Sequence, residues 1–330
     1  MFRGSMQQWV RNSCFLAGLC LARPAGFAAT PVNDVVAGER ALMQGRADEA
    51  IAHLRAAIAS NPANGSAHLL LCRTFYAEEH ADQAIPECEA ALTTMGRDSK
   101  AQDWMGRAYG LKADRSGPLT GYKMAAKVRT AFEAAVNLDP KNGAAVNDLS
   151  EYYVGAPALL GGGIDKAAQL ADRVQAQVPQ QAHRIRALAA EKGRDFDAAE
   201  REFRAAVAVA GRPDAWTDLG HFYSRREAKD KALDALRHAV AADRGRDASL
   251  VDVASILIEK DLDPKLAEQA LRSYLASSAQ SDAAPVFQAH VLLGKLLAKA
   301  GDKTAAGAEY AKALALAHDY APAEKAAARL

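Results

Sequence analysis

Small and apolar residues along this chain recur at two nested intervals. Over short stretches they follow the spacing of an amphipathic helix, with charged residues between them, as from Ala47 to Ala57. Over longer distances Gly38, Cys72 and Gly106 stand 34 residues apart, and Ala50 and Ala84, Leu54 and Cys88, and Ala57 and Ala91 keep the same interval. Several positions in phase define a repeat. The pattern predicts consecutive helix-turn-helix units in which small residues mark the closest approach of paired helices. Such a unit cannot bury its apolar face alone, so neighbouring units must stack.

Downstream the pattern is clearest in WTDLGHFY, where Trp216, Leu219, Gly220 and Tyr223 are followed by Ala232, Leu236 and Ala239. Ala199, Phe203 and Ala206 mark another unit, and Gly294, Leu297, Gly301, Ala306, Tyr310 and Ala313 the last. Pro62, Pro140 and Pro179 stand at closing positions. In these residues the chain resembles the tetratricopeptide repeat family, secreted bacterial type, whose unit of about 34 residues carries W-x2-L-G-x2-Y on its first helix and A-x3-F on its second. The resemblance covers residues 29–330. It implies an all-α, right-handed superhelical solenoid of about eight helix-turn-helix units, with a capping helix in DYAPAEKAAARL. Units are expected to start near Pro31, Gly65, Ser99, Gly143, Gln180, Pro213, Asp247 and Phe287. The seventh departs from the pattern, with an extra residue in DLDPKLAEQALRSYL and Tyr274 where the unit has Ala.

The spacing breaks twice. The second helix arrives about ten residues late in the third unit and about five late in the fourth. These excesses predict long loops between paired helices over residues 111–122 and 154–164, on one edge of the solenoid. Extra loop length often serves recognition, which makes Tyr122, Tyr152, Tyr153, Gly161, Gly162 and Gly163 the loop-edge candidates. The three glycines offer backbone N–H groups at a helix start, with Lys112, Lys123 or Lys166 to assist an anion. No G-x-x-x-x-G-K-[ST] is present and Asp165 adds negative charge there, which favours a corner in the chain over a phosphate cradle.

Composition supports the all-α reading. Half of the 330 residues are hydrophobic but only 6% are aromatic, so the interior is built largely from small side chains that let helices approach closely. Formal charge is +1 from 41 basic and 40 acidic residues without long runs of one sign, which implies no nucleic-acid surface. Residues 1–28 read as a signal peptide: Arg3 and Arg11, the apolar run SCFLAGLCLA, then small Gly26 and Ala28. That run is short for a bilayer span, so no stable membrane insertion is expected after cleavage, and the chain is expected to be periplasmic or secreted. A lipid-anchored form through Cys20 is disfavoured by Leu19 immediately before it. Loss of Arg3, Arg11 and Arg23 leaves 38 basic and 40 acidic residues, a charge of about −2.

Reactive chemistry is sparse. His53, His68, His80, His183, His221, His238, His290 and His318 are scattered, with no H-x3-H pair on one helix, so neither a metal nor another cofactor is expected. G-x-S-x-G and a strand-borne G-x-G-x-x-G are also missing, which leaves an enzyme as the weakest reading. Cys72 and Cys88 remain after loss of the leader, on the two helices of the second unit and directed at each other's helix. In an oxidising compartment they are expected to form a disulfide, closing a loop of about 17 residues and stabilising the unit by roughly 3 kcal/mol. The alternative is a pair of buried small residues.

The resemblance also implies a concave binding face lined by first-helix residues: Arg73, Tyr76, Asp103, Arg107, Glu151, Arg184, His221, Arg225 and Lys295. With more Arg than acid among them, the expected ligand is an acidic or carboxylate-terminated peptide. Val35, Glu39 and Leu70 stand where the family's chaperone-binding Lys/Asn clamp would begin, so that activity is not expected. The functional expectation is a non-catalytic protein-interaction scaffold or adaptor of the cell envelope, with a protein or peptide partner. The alternative is a small-ligand receptor or sensor using the 116–122 and 152–164 loops as its pocket.

Overall fold

The computed structural model describes residues 31–330, so the expected signal peptide, residues 1–28, lies outside the described residues. Eight antiparallel helix pairs follow one another. They are α1 (Pro31–Met43) with α2 (Ala47–Ser60), α3 (Gly65–Ala77) with α4 (Ala81–Met95), and α5 (Ser99–Asp114) with α6 (Pro118–Leu138). Next come α7 (Gly143–Gly155) with α8 (Ile164–Val174), α9 (Pro179–Lys192) with α10 (Phe196–Ala210), and α11 (Pro213–Arg225) with α12 (Lys229–Ala242). The last pairs are α13 (Ser249–Glu259) with α14 (Pro264–Leu275) and α15 (Val286–Lys299) with α16 (Lys303–Leu316), capped by α17 (Ala321–Ala327). No strand occurs among the described residues.

Local chemistry explains the boundaries. Asn64, Asp98, Asn142, Asp195, Asp263 and Asp302 each accept a hydrogen bond from a backbone N–H in the first turn of the helix they precede. Pro179, Pro213 and Pro264 occupy first-turn positions where no N–H is needed. Six of the eight pairs turn through one left-handed residue, Gly45, Glu79, Arg194, Glu227, Asp261 or Gly301. The two exceptions are the third and fourth pairs, those with irregular spacing.

There the structure corrects one expectation and keeps the other. Residues 111–122 do not form a long loop: α5 and α6 are joined by only Arg115–Gly117, and the inserted residues lengthen α6 to 21 residues. Gly117-Pro118 supplies a helix start, and the helix-forming run that follows continues it without a break. In the fourth pair the chain does leave the helix, over Ala156–Gly163, with a single 3₁₀ turn at Ala158–Leu160.

Paired helices touch at a constant offset of 16 residues: Gly38 lies on Leu54, Gly220 on Leu236 and Gly294 on Tyr310. A Cβ on Gly220 would sit 2.7 Å from Leu236 Cδ2, so the close approach depends on its absence. In the third pair Gly106 meets Phe132, the same contact displaced by the ten inserted residues. In the second pair the two positions are Cys72 and Cys88, both buried, with their Cα atoms 5.3 Å apart and their sulfurs facing each other at bonding distance. Tyr274, the seventh pair's departure from the pattern, is buried, and its hydroxyl donates to the carbonyl of Ala284 ahead of α15 (2.5 Å).

First helices of successive pairs touch, α1 with α3 and onward to α13 with α15, whereas second helices do not approach one another comparably. First helices therefore line the inner, concave side. The curvature brings the two ends of the array together. Ala47 and Ala77 share a core with Phe287 and Tyr320, and Arg73 Nη2 lies 2.7 Å from Asp282 Oδ2. Gln288 Nε2 donates to the carbonyl of Ala77 (2.9 Å), and the backbone N–H of His318 to Asp48 (3.1 Å).

Candidate functional site

The inner face is a ladder of arginines held by carboxylates of neighbouring units. Arg184 Nε donates to Asp218 (2.9 Å) and its Nη2 to Glu151 (2.6 Å), so one guanidinium ties α9 to both α7 and α11. Arg225 donates through Nε and Nη2 to Glu191 (2.7 and 2.6 Å), and Arg107 Nε donates to Asp148 (2.6 Å) with Asp103 3.4 Å away. Arg73, paired with Asp282, also lies over the Trp104 ring, as does Arg107, and Tyr76 meets Trp104 edge-on at 5.3 Å. Four of the expected binding residues, Arg73, Arg107, Arg184 and Arg225, are thus engaged within the solenoid. His221 is half-buried and its pKa is lowered, first by burial and then by Arg225; Lys295 is exposed.

Carboxylates on this face outnumber what the arginines neutralise. Asp103 is buried, one of its oxygens has no hydrogen-bond partner, and its pKa is pushed up to about 7 by desolvation and then by Asp148. Asp252, although its side chain reaches solvent, has its pKa raised by the protein packed around it and then by Asp218 and Asp247. Such a face attracts a cation more readily than the acidic peptide that the arginines alone suggest.

A cleft of about 710 Å³ opens between the third and fourth units. Tyr76, Arg107, Asp148 and Glu151 form its inner-face wall, and Tyr152 and Leu160 close it from the irregular connection. The first turns of the lengthened α6 supply the remaining side through Gly121 and Ala125. The inserted residues and the irregular loop therefore do meet, as one rim of one cavity. On the same two segments, though outside the cleft lining, three large side chains face solvent: Leu119 is 71% exposed, Tyr122 54% and Leu159 83%.

The tyrosines of the loop edge separate. Tyr152 places its hydroxyl within hydrogen-bond distance of the carbonyls of Leu160 (2.6 Å) and Ala125 (3.0 Å), fastening the connection to α6. Tyr153 points to the opposite side, where its hydroxyl donates to Glu133 (2.8 Å) and its pKa is pushed up to about 12 by burial and that bond. Tyr122 does not line the cleft.

The glycines turn a corner. Gly161 N–H donates to Ala158, Gly162 N–H to Pro157 and Gly163 N–H to Tyr153, at 2.9, 3.2 and 2.8 Å, so all three donors are spent inside the loop. Lys166 Nζ donates to the carbonyl of Gly161 (2.9 Å). Gly161 has φ +89°, and a Cβ on Gly162 would overlap the carbonyl oxygen of Ala156. None of the three glycine N–H groups is left for an anion, and the Lys166 ammonium is held within the same corner.

Residues 41–108 match the family model described as tetratricopeptide repeat. The solved structure of yeast Tom70 superposes with a TM-score of 0.53 at 16% identity, covering 94% of this chain and 65% of its own. The fold of the described residues is thus that of a tetratricopeptide-repeat-like solenoid. A thermophilic TPR protein of Thermus thermophilus superposes at 17% identity and TM-score 0.47, covering 69% of this chain and all of its own. A tetratricopeptide repeat protein from Parabacteroides merdae does so at 13% identity and TM-score 0.47, covering 92% of this chain and 98% of its own. No curated protein matches the sequence.

Within this TPR-like solenoid, sequence reading missed the acids that fix the inner face. Asp218 stands 34 residues after Arg184 and Glu191 the same distance before Arg225, so a search for opposite charges one repeat apart would have found both. It also missed a role for the histidines. His68, His183 and His290 each bond, through Nδ1, a glutamate 19 residues later on the paired helix, at 2.6, 2.7 and 2.6 Å.

Proposed function

We propose that this TPR array is a non-catalytic interaction scaffold of the cell envelope, and that the cleft between its third and fourth units grips a protein segment presenting an apolar side chain next to a basic one. The observation that carries this reading is the placement of exposed Leu119, Tyr122 and Leu159 on the two segments that bound a cleft lined by Asp114, Asp148 and Glu151, whose arginine is already engaged. Photo-crosslinking groups placed at Tyr122 and Leu159 should capture the same protein from envelope extracts, and Glu151→Lys should abolish the adduct. Equal capture from a group at Val209, exposed on a distant helix, would refute the assignment.

Export is part of the proposal. The charged, apolar and small-residue succession of residues 1–28 supports it, as does the placement of Cys72 against Cys88. Among the described residues no helix is long and apolar enough to cross a membrane. Mass analysis of the protein from fractionated cells should find it outside the cytoplasm, starting at Ala29 or Thr30, with no thiol labelled under denaturing, non-reducing conditions. Two labelled thiols per molecule would remove the oxidised pair from the account.

A small-ligand receptor is the second reading, favoured by the cleft's volume, which falls in the range of about 300–1,000 Å³ usual for ligand cavities. A thermal shift with a metabolite, lost on Tyr152→Ala but unaffected by Leu159→Asp, selects it over the scaffold.

A further inference from the structure

The seam where the two ends of the array meet holds a group that packing alone does not account for. Glu78 is the C-terminal cap residue of α3 and is only 1% exposed. Neither of its carboxylate oxygens has a hydrogen-bond partner. Burial, then Asp319 and Asp48, push its pKa up to about 8, against the opposing influence of His318 and Arg55. A buried ionised carboxylate without partners is costly, and protonation would leave its new O–H without an acceptor and its other oxygen still unpaired. A bound cation would neutralise the carboxylate and take one of its oxygens as a ligand.

Its surroundings offer further ligands. One donor atom each from Glu78, His80 and Asp319 lies within 4.8 Å of the others, and His80 Nδ1 is 3.8 Å from Glu78 Oε2, too far for a hydrogen bond. The neighbouring Asp48 and His318 are engaged with each other through two hydrogen bonds, at 2.6 and 3.1 Å, and leave these three donors uncommitted. One imidazole nitrogen and two carboxylate oxygens suit a zinc-like first-row ion better than the all-oxygen cages of calcium or magnesium. Around zinc, ligands at about 2.1 Å stand roughly 3.4 Å apart. His80 is half-exposed and Asp319 exposed, so both side chains have room to turn toward that spacing.

We propose that Glu78, His80 and Asp319 form a binding site for a divalent transition ion, best fitted by Zn²⁺, that fastens the last connection of the solenoid to its second repeat. The ligands come from two turns, α3–α4 and α16–α17, rather than one helix, so the H-x3-H search applied to the sequence could not find them. The ion has one open position for water and sits between residues 239 or more positions apart in the chain, which makes it a clasp on the closed form.

The test uses the purified, untagged chain, stripped with a chelator and titrated with Zn²⁺ in competition with a chromophoric chelator. Expected are one tight equivalent per chain and a melting temperature raised by roughly 4 °C at a hundredfold excess over Kd. His80→Ala and Asp319→Asn should each weaken binding at least tenfold while leaving the circular dichroism spectrum unchanged. Hydrogen exchange should slow on zinc addition in both α3 and α17, which a surface histidine binding zinc elsewhere would not produce. Absence of a stoichiometric site in the unmodified chain, or affinity retained in both variants, would overturn the proposal. Glu78→Gln adds a third arm, and if it fails to fold the other two still decide.

Discussion

At the scale of single residues, the repeat is defined by what its tightest positions lack. Gly220 admits Leu236 and Gly294 admits Tyr310 because no Cβ intervenes. Gly220→Leu should cost about 1–3 kcal/mol through overpacking, measured by urea denaturation; Gly110, beside which a Cβ meets nothing within 4 Å, is the control and should tolerate Ala. Glu78 makes a second prediction. Its pKa is raised in the folded chain from 4.5 to about 8, so the fold binds its proton more tightly than the unfolded chain does. The stability this confers is complete below pH 4.5 and is lost as pH rises through about 8. His221 and His290, whose pKa values are lowered, act oppositely below about 6.5, so the informative quantity is the difference between variants. With chelator present, Glu78→Gln should gain melting temperature relative to the parent chain between pH 5 and 8; a constant difference across that window would contradict the shift. Small residues at fixed spacing were readable because each leaves a mark in composition at its own position. Glu78 was not, since a glutamate after a helix reads as an exposed cap until the chain's other end is laid over it.

Between elements, the inner-face arginines tie neighbouring units together. Arg184 joins α7, α9 and α11, so its removal leaves Asp218, and in part Glu151, without a counter-charge. A buried pair broken on one side typically costs about 3–5 kcal/mol. Asp218 keeps some access to water, and about 2 kcal/mol is the expected cost of Arg184→Met. Asp218→Leu added to Arg184→Met should recover most of it, because the unpaired charge goes too; a double variant as unstable as the sum of the singles would show that the ladder is not the cause. The same scale shows how far spacing alone could be read. A late second helix correctly located the irregularity in the third unit, yet insertion length says nothing of conformation. Pro118 and the run to Leu138 made those residues helix, whereas Pro157 and three glycines kept the fourth unit's excess out of one. The cleft exists because the two insertions took different forms side by side.

At the scale of the whole molecule, closure changes the physics expected of a repeat array. An open solenoid is stabilised only by neighbour contacts, so damage stays local. Here Arg73 bonds Asp282, Ala77 receives Gln288, and Tyr320 packs on Phe287 in a core shared with Ala47 and Ala77, coupling the second repeat to the eighth. No periodic signal marks contacts between residues more than 200 positions apart, which is why the sequence predicted a curved rod and not a closed one. Charge reversal isolates the coupling. Asp282→Arg sets two guanidiniums against each other across the seam, where both side chains have little access to solvent. Small-angle scattering should then show a larger radius of gyration, and hydrogen exchange should quicken in α3 and α15 together while α9 to α11 stay protected. The swap Arg73→Asp with Asp282→Arg restores the pair in reverse and should restore compactness. If the single variant scatters like the parent, the ends meet without holding each other, and the array is an ordinary chain of neighbours whose first and last members happen to lie close.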